Sequence, residues 1–89
     1  MAQTHSIPVS SWRAWQTPMN EHWPAKPRDT QLPQPGIPVV ARVVWSRDGE
    51  TLPEGQAIRW TSSEVFVSIR DPRCAILGVW LLASDVRRI

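Results

Sequence analysis

Val39-Val40-Ala41-Arg42-Val43-Val44-Trp45-Ser46-Arg47-Asp48-Gly49-Glu50 is the most informative stretch of the chain. Val39, Ala41, Val43 and Trp45 alternate with Val40, Arg42, Val44 and Ser46, a period of two that suits a strand with one face fully buried. Asp48-Gly49 then supplies a strong hairpin signal, because this pair tolerates the positive φ that tight turns need.

Reading forward, Leu52-Pro53-Glu54-Gly55 forms a second turn or distorted loop, and Gln56–Thr61 a short strand with Ile58 and Trp60 pointing together and Arg59 away. Ser62-Ser63 links to a strand over Glu64–Arg70, where Val65, Val67 and Ile69 share one face and Phe66, Ser68 and Arg70 the other. Asp71-Pro72-Arg73 turns the chain into Cys74–Leu82, apolar on both alternating sets. Ala83-Ser84-Asp85-Val86 carries cap-type residues suited to one 3₁₀ turn before a last strand, Arg87–Ile89. Curling these strands lets Val43, Trp45, Ile58, Trp60, Val67, Ile69, Val79 and Leu81, or their neighbours, share one core. A flat sheet of this size leaves an apolar face bare. The expectation is an all-β fold: a small barrel of four to five antiparallel strands over residues 39–89.

Residues 1–38 are unlike this. They hold seven of the nine prolines, and proline removes a backbone donor and biases its predecessor to extended geometry. The expectation is an extended Pro/Trp-rich arm, with room for one short helix at residues 10–16.

Gly78-Val79-Trp80-Leu81-Leu82-Ala83-Ser84-Asp85-Val86 resembles the end of an SH3-like barrel, where an apolar strand leads through a Pro/Ala-Ser-x-x-Val segment into a 3₁₀ turn. Ala83, Ser84 and Val86 match that pattern, and Val65-Phe66-Val67-Ser68-Ile69 resembles a central strand of the same fold. The chain has no tyrosine, and the Ala-Leu-Tyr-Asp-Tyr strand of signalling SH3 domains is missing. The aromatic walls that grip PxxP peptides are therefore not identifiable. The resemblance implies a binding scaffold, and a scaffold does not fix a function.

Catalytic and cofactor signals are thin. The 89 residues allow one domain. His5 and His22 both lie in the arm, and with Cys74 they are too scattered to read as a metal site or a nucleophile pair. The acids are spread over turns and strand ends, and the four glycines occur singly, with no phosphate-binding loop. The expectation is no enzyme, no cofactor and no metal. No run of 18 apolar residues suggests a membrane partner, and no apolar stretch follows a basic N-terminus. An unpaired Cys74 suits a reducing, cytoplasmic setting. The composition suits an accessory gene of a bacterium, phage or plasmid.

Two residue types carry the functional expectations. The chain has six tryptophans against one phenylalanine. Trp12, Trp15 and Trp23 lie in an arm unable to bury them, and fully burying a large apolar side chain is worth roughly 1.5–3 kcal/mol. With Trp80 of the over-apolar strand they are the candidate protein-binding residues, for a protein partner or a second copy of the chain. The alternative is binding of DNA or RNA through an arginine face made of Arg42, Arg59, Arg70, Arg73, Arg87 and Arg88, since the guanidinium fork suits phosphates. Net charge is only +2. The discriminator is placement: coplanar Arg42, Arg59 and Arg70 favour nucleic acid, dispersed arginines a protein module.

Overall fold

The computed structural model describes residues 14–26, 35–74 and 78–89. Among these the chain forms β1 (Ile37–Ala41), β2 (Val43–Trp45), β3 (Gly49–Thr51), β4 (Glu54–Trp60), β5 (Glu64–Ser68), β6 (Gly78–Leu82) and β7 (Val86–Arg88), with a 3₁₀ turn at Ala83–Asp85. Five strands make an antiparallel sheet in the order β6-β5-β4-β1-β7, and β2 and β3 make a second, two-stranded one. This is a small all-β domain, and it is consistent with the SH3-like resemblance at superfamily level.

Seven strands replace the expected four to five, for two local reasons. The run from Val39 to Trp45 is not one strand. At Arg42 the backbone leaves the β1 ladder, and its N–H donates instead to the Asp85 carbonyl at 2.7 Å. The alternation survives the break, since Val39, Ala41, Val43 and Trp45 are all at most 2% exposed. One apolar row thus serves both sheets. The second addition is β3, which pairs Trp45 with Gly49 across a three-residue loop. Gly49 has φ 75°, the left-handed geometry that such loops require at this position.

The core consists of that row with Ala57, Val67, Ile69, Val79 and Leu81. Among the described residues it contains no buried polar or charged side chain. Ile58 and Trp60, expected in the core, are only partly buried. A bulge explains Ile58, whereas Trp60 stays on the core side opposite Val65. Ala57 pairs with Val67 and Arg59 with Phe66, so β4 spends one extra residue, Ile58, against β5. The alternation is reset, and small Ala57 takes the inward place.

Register also settles the doubly apolar strand. Val79 pairs with Val67 and Leu81 with Val65, which puts Val79 and Leu81 on the core side. Trp80, opposite Phe66, lies on the other face. Gly78 permits this arrangement: a Cβ there would stand 2.6 Å from both Phe66 Cζ and the Val67 carbonyl oxygen. The expected start of this strand at Cys74 reaches into residues 75–77, outside those described. The 3₁₀ turn falls where the sequence placed it, although Val86 belongs to β7.

Candidate interaction surface

The segment Ala14–Lys26 lies along the domain. From Ala14 to Asn20 its burial alternates: Ala14, Gln16, Pro18 and Asn20 are partly buried, while Trp15, Thr17 and Met19 are exposed, with Met19 and Asn20 in a turn. Pro18 suits this role, because a residue without a backbone donor is tolerated at a ladder's margin.

The segment touches both sheets. Against β2, the Met19 N–H donates to the Val44 carbonyl at 2.6 Å and the Ser46 N–H to the Thr17 carbonyl at 2.9 Å, with Pro18 bridged to Trp45. Against β6, the His22 N–H donates to the Trp80 carbonyl at 2.8 Å, with Glu21 bridged to Leu81. Side chains add to this. Gln16 Oε1 accepts from the Arg47 and Asp48 amides, each at 3.0 Å, which caps the β2–β3 loop. Asn20 Oδ1 accepts from the Val44 amide, while its Nδ2 donates to the Arg42 carbonyl and to Asp85 Oδ2. His22 Nδ1 sits 3.3 Å from Glu64 Oε2, and the other oxygen of that carboxylate accepts from the Thr61 hydroxyl.

Of the four expected protein-binding residues, Trp12 lies outside the described residues. Trp15 and Trp23 are 45% and 53% exposed, whereas Trp80 is 3% exposed. Trp80 is covered rather than presented: Trp23 stands 6.4 Å from it between ring centroids and Phe66 5.4 Å. The structure adds Met19, 64% exposed. Met19, Gln16 and Asn20 escaped the sequence reading. The stretch up to Gln16 reads as room for a short helix and the chain from Pro18 as extended, and neither reading assigns these three side chains a partner. Of the short helix expected at 10–16, residues 10–13 lie outside those described, Ala14 is 3₁₀, and Trp15 and Gln16 are not helical.

The arginines are spread apart. Arg42, between β1 and β2, pairs with Asp85 at 3.2 Å and Glu50 at 3.4 Å, and both acids raise its pKa. Arg73 pairs with Asp71 at 2.8 Å and Asp48 at 3.2 Å, and its guanidinium carbon lies 5.2 Å from the Trp45 ring centroid. The Arg73 hydrogen bond holds the Asp71 carboxyl below its ordinary pKa, and burial opposes it. Arg59 is opposite Phe66 on β4, and Arg70 is exposed beyond β5. Arg87 and Arg88 are successive residues of β7 and line different concavities.

No family model, no curated protein and no solved structure matches the chain. Among the described residues no group of three or more His, Cys, Asp or Glu side chains is placed to hold a metal ion, and no helix is long and apolar enough to cross a membrane. Cys74 is partly buried, with its Sγ 3.8 Å from the Gly78 carbonyl oxygen.

Proposed function

We propose that this protein is a non-enzymatic interaction module that binds another protein chain, either a partner or a second copy of itself, through an apolar row on its leader. The observation carrying this reading is the outward exposure of Trp15, Met19 and Trp23 on a segment whose other side is hydrogen-bonded to both sheets. Docking fixes the backbone in advance, so a partner meets large apolar groups whose ordering is largely complete. Preorganisation of this kind raises affinity without adding contacts. Tryptophan is enriched at binding hot spots because it removes much apolar area from water at little entropic cost. In this reading the two sheets form an SH3-like barrel whose gap between β2 and β6 is closed by the leader.

The dispersion of the arginines favours this reading over a nucleic-acid face. Among the described residues Arg42 and Arg73 are engaged by acids, and Arg87 and Arg88 line different concavities.

A photo-crosslinking side chain placed at position 15 or 19 tests the proposal. Expected is a discrete protein adduct in cells from both positions and none from exposed Glu54. Adducts to nucleic acid instead, or equal adducts from all three positions, would overturn it.

A further inference from the structure

The bulge in β4 has a consequence on the core side of the sheet. It puts Ala57 and Trp60 on the same side with two residues between them, and a cavity of about 350 Å³ opens over the small Ala57. Its floor is the core itself, at Val39 and Ala57, which are 2% and 5% exposed. Ile37, Trp60, Val65 and Val86 form apolar walls. Exposed Ala83 and Arg88 stand at the rim. Arg88 is the register partner of Val39, so its side chain leaves β7 on the cavity side. Among the described residues it has no carboxylate partner, unlike Arg42 and Arg73.

We propose that this cavity binds a small apolar monocarboxylate, with the hydrocarbon part on Val39 and Ala57 and the carboxylate on the Arg88 guanidinium. The volume lies at the lower end of the range for small-molecule sites, ~300–1,000 Å³. The walls offer apolar contact with one cationic group at the mouth, a combination that selects for an amphiphile of negative charge. Arginine is suited to that end of the ligand because its planar fork meets both carboxylate oxygens. A bound chain would extend the core, and thereby stabilise the fold in proportion to occupancy. The site is separate from the leader's outward row, so it stands or falls independently of the proposed protein binding.

The test is a titration of the ¹⁵N-labelled full chain with octanoate, octan-1-ol and octylamine. Expected are saturable shifts at the Ala57, Val65 and Val86 amides and the Trp60 indole, with octanoate preferred over octan-1-ol by about threefold to fivefold, as suits a partly solvated ion pair. Arg88→Gln should abolish that preference, and Ala83→Phe, which crowds the rim, should weaken every ligand. Both positions are exposed, so neither variant threatens folding. Absence of saturable shifts at millimolar octanoate, shifts confined to Trp15, Met19 and Trp23, or equal binding of octylamine would overturn the proposal. A short peptide, acetyl-Ala-Ala-Leu with a free carboxylate, separates small acids from chain ends. Displacement of octanoate by this peptide at lower concentration would also overturn it.

Discussion

Asn20 accepts a hydrogen bond from the Val44 amide at 2.9 Å, so a leader side chain completes the backbone bonding of a strand 24 residues later. The same carboxamide donates to the Arg42 carbonyl at 2.8 Å and to Asp85 Oδ2 at 3.1 Å. It thereby ties β2, the β1–β2 junction and the 3₁₀ turn to one group. Asn20→Ala leaves the part-buried Val44 amide and Asp85 Oδ2, and the exposed Arg42 carbonyl, without this partner, which costs about 1–3 kcal/mol. In a domain of this size each kcal/mol lowers Tm by roughly 4–8 °C. Thermal unfolding followed by circular dichroism reads this directly. An unchanged Tm would mean that the Asn20 carboxamide contributes nothing to folding.

The exposed row and the cover of Trp80 separate by mutation. Trp23→Ala uncovers a buried ring and should lower the urea midpoint, with about 0.5–1.5 kcal/mol from the aromatic pair alone. Trp15→Ser and Met19→Ser remove outward groups and should stay within about 0.5 kcal/mol of the parent. Denaturation curves of the three variants give the comparison. Equal losses at all three positions would contradict the division of roles.

Acid should weaken the β2–β3 side of the domain. Arg73 donates to both oxygens of Asp71, at 2.9 and 2.8 Å, and depresses the carboxyl pKa. A carboxyl whose folded pKa lies below its unfolded value contributes stability that is fully present above the unfolded value and lost as pH falls through the folded one. Unfolding by urea at pH 7 and at steps below pH 4 should therefore show a falling midpoint, with a shallower fall in Asp71→Asn. Identical pH profiles would rule out Asp71 as a contributor.

Gly78→Ala forces a Cβ against Phe66 and against the Val67 carbonyl. Overpacking of this kind costs about 1–3 kcal/mol. Phe66→Leu in the same chain should recover part of the loss, because the flexible ring can be trimmed, whereas the carbonyl belongs to the backbone. Full recovery would show that the ring alone sets the constraint.

What the sequence made legible follows what is local. The alternating row Val39–Trp45, the Asp48-Gly49 turn and the 3₁₀ turn are each written in a handful of adjacent residues, and each falls where it was read. The interruption at Arg42 was not legible, because its cause is the Asp85 carbonyl, 43 residues away along the chain. The β4 bulge was hidden likewise: the choice between Ala57 and Ile58 as the inward residue depends on register against β5. In the leader, proline content indicated an extended backbone, and residues 15–18 contain neither helix nor turn, whereas Ala14 is 3₁₀ and Met19 and Asn20 form a turn. Its destination depended on the donors and acceptors left open by β2 and β6, which only the assembled sheets reveal. Trp23 shows the same limit, since its neighbour Trp80 comes from the far end of the chain.

The leader's hydrogen bonds to Val44, Ser46 and Trp80 also occupy parts of two strand margins. Open strand margins invite chains to stack into fibrils, and β2 and β6 are here occupied by the molecule's own backbone. Peeling that segment away would turn a self-contained domain into a template for its copies, so cleavage or mutation of residues 14–26 should show first as turbidity on storage.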